Sequence, residues 1–215
     1  MSKDMSLEFF ASPNHLDPKF RTFLEESSSR LCEWIASAES RGPLPNQDLL
    51  PAIAPNQSGI SSENLLRDLQ LIMDGAYQPS HPGSLAHLDP PPLTSSIAAD
   101  LICAGMNNNL LAHELSPNLT KLEQQICNWF AKKLGYSENA GGVAASGGSL
   151  SNLMALVVAR NCSNLQNDSN LVIMASEDSH VSLQKSIRIM GLPTNSLRTI
   201  NTNNEGIMCL KSLES

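Results

Sequence analysis

The sequence predicts an α/β fold, and three observations carry that prediction. After residue 140, segments of helical and strand character alternate in the order helix, strand, helix, strand. Before that point, several stretches have apolar residues at helical spacing, so a mainly helical segment precedes the alternating part. The small-residue run Ala145–Ser149 leads directly into an apolar segment, as loops that open a helix do. Helices that alternate with short apolar strands build a layered fold around a parallel sheet.

The first part of the chain is predicted to contain two helices and a linker. Apolar residues recur at helical spacing over residues 20–35, opposite charged ones, and Gly42-Pro43 is a stop signal. Residues 43–59 hold several prolines and few periodic apolar positions, which predicts an extended linker. A second helix is predicted from about Ser62, with Ser61 or Ser62 as its N-cap.

Two further helices follow a proline-rich stretch. The prolines within residues 78–92 exclude a continuous helix and predict rigid, extended loops. One helix is predicted from Thr94 to about Met106, and a longer one from Thr120 to about Leu134, where Gly135 stops it. Four large apolar residues of the longer helix are expected to face inward, namely Leu122, Ile126, Trp129 and Phe130.

The alternating part has four predicted elements. A helix over residues 149–160 is followed by a polar loop and then by the short apolar run Leu171–Ala175, which is typical of a buried parallel strand. A helix is predicted from about His180 to Met190, closed by Gly191. A second strand is predicted around Leu197–Ile200.

Composition and charge exclude several classes of function. The 215 residues carry a net charge of −7, which gives no basis for binding nucleic acid or an anionic membrane surface. Five scattered cysteines without C-x-x-C spacing indicate reduced thiols rather than disulfides or a metal site. The N-terminus has no signal-peptide pattern, and no segment reaches transmembrane length. We therefore expect a soluble, cytoplasmic protein without a metal.

The run Ser146-Gly147-Gly148-Ser149, called here the phosphate loop, has the composition of an anion site. Backbone N–H groups at a helix start lack intrahelical partners, and the helix dipole adds partial positive charge. The two glycines admit an anion close to the backbone, and the two serines add hydroxyl donors. The run lacks the lysine of a nucleotide P-loop and the spacing of a dinucleotide fingerprint. An ordinary Gly-Gly-Ser turn before a helix remains the alternative.

His180 is the second candidate, because it follows the first predicted strand at the start of the next helix. Ligand sites of open α/β sheets gather at the carboxyl ends of the strands. A histidine at this position could contact the ring of a ligand that the phosphate loop anchors. A capping or surface histidine is the alternative interpretation.

Four blocks of the chain resemble the group II pyridoxal-phosphate-dependent amino-acid decarboxylases, which include the glutamate, aromatic amino-acid and diaminobutyrate enzymes. Gly142–Arg160, GVAASGGSLSNLMALVVAR, resembles their phosphate-loop region, and Ser176–Gly191 resembles the next block. Upstream, His81–Pro92 and Leu115–Tyr136 resemble two more blocks, HPGSLAHLDPPP and LSPNLTKLEQQICNWFAKKLGY. The likeness begins near residue 18, and the blocks occur in family order.

This resemblance implies a fold, a cofactor and a set of site residues. The fold would be the aspartate-aminotransferase-like large domain of PLP fold type I, incomplete here, over residues 81–215, after an N-terminal helical segment over 1–80. The protein would be a homodimer that uses pyridoxal 5'-phosphate as a lyase in amino-acid and carboxylic-acid metabolism. By position, the phosphate would be held by Ser146, Gly147, Gly148 and Ser149, with His180 stacked on the ring. The substrate would lie near His81, Pro82 and Leu88.

The chain departs from the family in one respect that bears on activity. The family's Schiff-base lysine and the aspartate that pairs with the pyridine nitrogen lie beyond the His180 block, and the sequence stops at Ser215. Lys185 matches a non-catalytic position. We therefore expect residues 1–215 alone to be inactive and prone to associate. A remnant, a split-enzyme subunit completed by a partner chain, and other PLP lyase or transaminase chemistry remain alternatives.

The substrate is left open by the resemblance. Glutamate, aspartate, diaminobutyrate and aromatic amino acids are all within the group. Gly83, Ser84 and Leu85 follow His81-Pro82, where aromatic-specific members tend to carry bulky rings. This difference disfavours a large aromatic pocket.

Overall fold

The computed structural model describes most of the chain and divides it into two compact units, Met1–Asn107 and Asn108–Ser215. The residues described are 7–8, 10–45, 50–51, 54, 57, 59–85 and 89–214. The predicted boundary at residue 80 marks where the cofactor-binding domain would begin, whereas these two units are defined by their compactness. The boundary at residue 80 therefore stays a prediction.

The first unit contains the helices α1 (Pro18–Ala36), α2 (Ala38–Arg41), α3 (Ser62–Asp74) and α4 (Thr94–Met106). The predicted positions of the helices are confirmed, except that the first is interrupted at Ser37, so that α1 and α2 together cover the span predicted to end near Gly42. Asp17 caps α1, because its Oδ1 accepts a hydrogen bond from the Lys19 N–H at 2.9 Å. Ser61 caps α3 by accepting from the Asn64 N–H at 3.2 Å. Of the predicted linker, residues 46–49, 52–53, 55–56 and 58 lie outside the described part; its remaining residues form no helix or strand.

The core of the first unit lies between α1 and α3, which pack against each other. Leu66 of α3 is buried in this contact region. The Arg30 guanidinium of α1 pairs with Glu26 one turn earlier and reaches the Leu66 carbonyl oxygen. An ion pair between Arg41 and Asp74 joins the ends of α2 and α3. These contacts hold the helical segment together.

The second unit contains α5 (Pro117–Lys133), α6 (Gly148–Cys162), β1 (Ile173–Ser176), α7 (Ser182–Ile189), β2 (Leu197–Ile200) and α8 (Leu210–Glu214). The two strands are parallel, in register from Ile173 opposite Leu197 to Ser176 opposite Ile200. The α7 helix connects them, so the predicted strand–helix–strand unit is confirmed. Ala175, Ile187 and Ile200, the buried apolar residues of β1, α7 and β2, form its small core.

Two helix starts differ from the prediction. The longer helix begins at Pro117 rather than Thr120, because proline suits the first turn, where its missing N–H costs nothing. The α7 helix begins at Ser182 rather than His180, which lies in the turn before it. Gly135 and Gly191 end their helices as predicted, with φ of +83° and +71°.

The predicted inward face of α5 is wrong for the part of the chain that the structure describes. Leu122 and Ile126 are each 48% exposed, and Trp129 and Phe130 are each 55% exposed. Helical spacing identifies which face is apolar, but it carries no information on what packs against that face. The four side chains therefore form an apolar strip that is half open to solvent.

None of the described helices combines the length and the hydrophobicity that a membrane span requires.

Candidate active site

The segment that leads into the phosphate loop is held against α5. A Cβ built on Gly142 would lie 3.0 Å from the Cβ of Cys127, tighter than most Cβ contacts, so the backbone passes close to α5. Two residues later, the Ala144 N–H donates to the Glu123 Oε1 at 3.2 Å. The close approach and this hydrogen bond fix where the loop leaves α5.

Replacing Gly142 by alanine is expected to lower the free energy of unfolding by about 1–3 kcal/mol, because the added methyl group overpacks against Cys127. Chemical denaturation measures the change. Gly141→Ala is the matched control, since a Cβ there meets nothing within 4 Å. Equal effects of the two substitutions would contradict the close approach.

The phosphate loop opens α6 and leaves its first N–H groups open. Gly147 is the N-cap with an extended backbone, φ 171° and ψ 165°, and no described side chain caps the helix. A Cβ at Gly147 or Gly148 would meet nothing within 4 Å, so no described group crowds these two residues. Ser146 and Ser149 are exposed beside it. An uncapped start of a 15-residue helix, flanked by two hydroxyls, can bind a phosphate dianion.

His180 lies in the turn before α7, and its ring is held by Ser182. The ring Nδ1 accepts the Ser182 backbone N–H at 3.1 Å and lies 2.9 Å from the Ser182 hydroxyl. That hydroxyl also accepts a hydrogen bond from the Asn152 amide of α6 at 2.7 Å. The phosphate loop and His180 are therefore carried by two helices that are joined through Ser182.

The carboxyl ends of the two strands are joined by Glu177. Its Oε1 accepts from the Thr202 backbone N–H at 2.6 Å and from the Thr202 hydroxyl at 2.9 Å. These hydrogen bonds hold the pKa of the Glu177 carboxyl below its ordinary value, the backbone N–H contributing most. The carboxylate thus clamps the end of β1 to the residues after β2.

Removing this clamp is expected to make stability less dependent on acid pH. Because the folded pKa of Glu177 is lowered, its stabilisation is complete above the unfolded pKa and is lost as pH falls through the folded pKa. The Tm of Glu177→Gln should fall below that of the wild type at pH 7, and the two should converge in acid. Glu205→Gln, in the turn after β2, is the control. A Tm difference independent of pH would contradict the clamp.

A cavity of about 300 Å³ lies where β1, β2 and the start of α7 meet. Glu177, Ser179 and His180 supply polar groups to its wall, and Leu183 and Leu197 supply apolar ones. The phosphate-loop residues do not line it. His180 is therefore the residue that borders the cavity and is also linked to α6.

The predicted substrate residues His81 and Pro82 lie in the first unit, and Leu88 lies outside the described residues. The His81 Nδ1 accepts the Gly83 N–H at 2.8 Å, and a Cβ on Gly83 would lie 3.1 Å from the imidazole. Gln78, which is 3% exposed, anchors this turn to the Trp34 carbonyl oxygen at 3.0 Å. The histidine ring thus lies close over its own turn, where the glycine leaves room for it.

Sequence reasoning missed three residues with long-range contacts: Glu123 and Asn152, which hold the loop and Ser182, and Gln78, which anchors the turn at His81. No local pattern singles them out, because each acts on a partner at least 21 residues away in the chain. Ser182 belongs to the block that resembles the decarboxylases, but it had no assigned role. Lys185 is an exposed residue of α7, as expected for a solvated helix face.

The family model described as the pyridoxal-dependent decarboxylase conserved domain matches residues 43–215. The L-2,4-diaminobutyrate decarboxylase of Acinetobacter baumannii is 27% identical over 91% of this chain and 43% of its own length. The chain spans about half the length of the relatives that it matches.

Solved structures show the same fold. The glutamate decarboxylase domain of the diaminobutyrate-pyruvate transaminase and L-2,4-diaminobutyrate decarboxylase from Vibrio parahaemolyticus superposes with a TM-score of 0.85 and 25% identity, over 96% of this chain and 49% of that one. Oryza sativa TDC, solved with PLP and tryptamine, gives 0.80 and 22%, over 95% and 48%. The predicted aspartate-aminotransferase-like fold is confirmed as a partial domain, and the chain belongs to the family of pyridoxal-dependent decarboxylases.

Proposed function

We propose that the chain supplies the phosphate site and the ring-stacking histidine of a carboxy-lyase that acts on an amino acid with pyridoxal 5'-phosphate. The observation that carries this proposal is the link from α6 to His180 through Ser182. It joins an uncapped helix start suited to a phosphate to an imidazole suited to a flat ring. A ligand that has a phosphate and an aromatic ring uses both.

The residues at the start of α6 fit the cofactor's phosphate. The backbone N–H groups after Gly147 have no side-chain cap among the described residues, and nothing lies within 4 Å of a Cβ built on Gly147 or Gly148. Ser146 and Ser149 add two exposed hydroxyl donors. These groups would hold a dianion by charge-assisted hydrogen bonds and by the helix dipole.

His180 would lie against the cofactor's ring and keep its plane in place. When bound, the cofactor is the electron sink that makes loss of the α-carboxylate possible. The work of the protein is to hold the ring so that the bond to the carboxylate stands in the productive orientation. A ring position set by both a phosphate anchor and a stacked imidazole meets that need.

Several finer parts of the proposal rest on the resemblance. We propose that residues 81–215 belong to the cofactor-binding domain, that residues 1–80 precede it, and that His81, Pro82 and Leu88 lie near the substrate. A homodimer would cover exposed apolar surface such as the strip on α5. The cytoplasm suits a protein whose five cysteines are all free.

We propose that residues 1–215 by themselves bind the cofactor without turnover. The family's Schiff-base lysine has no match among them, and Lys185, the lysine nearest to His180 in sequence, is an exposed residue of α7. A partner chain that carries the lysine would complete a split enzyme.

Two measurements on the purified protein test these proposals. Isothermal titration with pyridoxamine 5'-phosphate, which forms no imine with lysines, should show one site per chain; absence of binding would overturn the phosphate site. Carbon dioxide release from a panel of amino acids, with pyridoxal 5'-phosphate added, should be absent. Turnover would overturn the inactivity of the isolated chain, and formation of a keto acid instead of an amine would indicate transaminase chemistry.

A further inference from the structure

We infer that Asn152 is a positioning residue that reinforces the tautomer and the orientation of His180 through Ser182. The inference deepens the proposed function and rests on it for its relevance to the cofactor. Its evidence is a chain of hydrogen bonds from the Asn152 amide to the Ser182 hydroxyl, 2.7 Å, and from there to the His180 Nδ1, 2.9 Å. In each of these hydrogen bonds, the neighbouring groups determine which atom donates and which atom accepts.

The backbone determines the direction at the imidazole. The Ser182 N–H donates to the His180 Nδ1 at 3.1 Å, and a backbone N–H can only donate. The Nδ1 atom is therefore an acceptor and carries no proton. In the neutral ring, the proton then resides on Nε2, which is the nitrogen that Ser182 does not contact.

The amide determines the direction at the hydroxyl. A serine hydroxyl has a single proton, and the Ser182 oxygen accepts from the Asn152 Nδ2. The hydroxyl proton is thereby free to point at the His180 Nδ1. With the amide turned over, the hydroxyl would donate to Asn152, and His180 would lose the second of its two donors.

Because Ser182 is buried, the loss of one of these hydrogen bonds is costly. Ser182 is 1% exposed, and so is Ser186, whose hydroxyl donates to the Ser182 carbonyl oxygen at 2.8 Å. Water cannot readily replace a partner at such a position, so a lost donor leaves a buried polar atom unpaired. The orientation of the His180 ring is thus coupled to Asn152, which lies one turn into the helix that begins at the phosphate loop.

The tautomer of His180 in the protein without cofactor tests the inference. Imidazole ¹⁵N shifts of ¹⁵N-histidine-labelled protein distinguish a protonated from an accepting nitrogen, and comparison with His180→Gln assigns the signal among five histidines. We expect the Nε2–H form in the wild type. A predominant Nδ1–H form would overturn the inference without any substitution, so the test does not depend on the folding of a variant.

The substitution Asn152→Asp reverses the hydrogen-bond direction with almost no change of shape. A carboxylate can only accept hydrogen bonds, so the Ser182 hydroxyl would donate to it. The serine oxygen could then accept a hydrogen bond from a protonated Nδ1. We expect the Nε2–H to Nδ1–H ratio to fall by roughly two- to tenfold. Asn161→Asp, an exposed position on the same helix, is the matched control and should leave the His180 signal unchanged. An unchanged ratio in folded Asn152→Asp would overturn the inference.

Titration with pyridoxamine 5'-phosphate separates this inference from the proposed function. If the wild type binds the compound but has the Nδ1–H form, the phosphate site stands and the role of Asn152 fails. If Asn152→Asp lowers the Nε2–H to Nδ1–H ratio but the compound does not bind to the wild type, the positioning stands and the proposed function fails.

Discussion

Replacing Ser149 by alanine is expected to weaken binding of pyridoxamine 5'-phosphate by roughly 10- to 100-fold. The Ser149 hydroxyl is exposed in the first turn of α6, beside the uncapped N–H groups. A hydrogen bond to a charged group contributes about 1.5–3 kcal/mol. Alanine has no hydroxyl, so the variant cannot donate this hydrogen bond to the phosphate. Isothermal titration at constant ionic strength measures the loss, because the interaction is electrostatic and salt screens it.

Ser163→Ala is the matched control for this substitution. Ser163 is an exposed serine at the opposite end of the same helix, so its loss should leave the affinity unchanged. Unfolding curves of both variants should match the wild type, which separates a lost donor from a loosened helix. Equal affinity of Ser149→Ala and the wild type would contradict the role of the Ser149 hydroxyl at the phosphate.

Replacing Ile187 by alanine is expected to lower the free energy of unfolding by about 2–5 kcal/mol. Ile187 is 1% exposed and belongs to the small core formed with Ala175 and Ile200 on the two strands. Removing its branched side chain leaves a cavity there as well as losing the burial of its carbon atoms. Chemical denaturation followed by circular dichroism measures the change.

Ile189→Ala is the matched control, since Ile189 lies on the same helix and is 69% exposed. A substitution of an exposed residue away from special contacts changes stability by about 0.5 kcal/mol or less. The Ile187 variant should also loosen His180, because Ser182, which holds the imidazole, is buried on the same helix. Equal destabilisation by the two alanines would contradict the placement of Ile187 in the core.

The predicted elements that proved correct are those whose signals are local. The α3 helix begins where a serine can cap it, and α2 ends at Gly42, which has a φ of +82°. The run around Ile173–Ser176 is a parallel strand, as predicted for a short apolar run, but of its residues only Ala175 is buried, and Met174 is exposed. Such signals involve residues that are a few positions apart.

The errors arose where side-chain contacts decide the outcome. Helical spacing identified the apolar strip on α5, but Trp129 and Phe130 are half exposed. Periodicity shows which face is apolar and not whether another element covers it. The sequence predicts a helix from about His180, because it does not show that the Ser182 N–H donates a hydrogen bond to the His180 imidazole in the turn before the helix. Both errors concern contacts rather than propensities.

By itself the sequence determined the α/β class, the positions of the predicted helices and strands, the phosphate loop and the resemblance to the pyridoxal-dependent decarboxylases. These features follow from patterns among residues that are close together in the sequence: the spacing of apolar residues, helix-capping residues and the positions of glycines. The resemblance follows from sequence blocks that occur in the family's order. Only the tertiary structure decided that Gly142 abuts α5, that Glu177 clamps Thr202 and that Asn152 reaches His180 through Ser182. The physical reason is that hydrogen bonds and close packing act over a few ångströms in space, and folding brings together residues 15 to 30 positions apart in the chain.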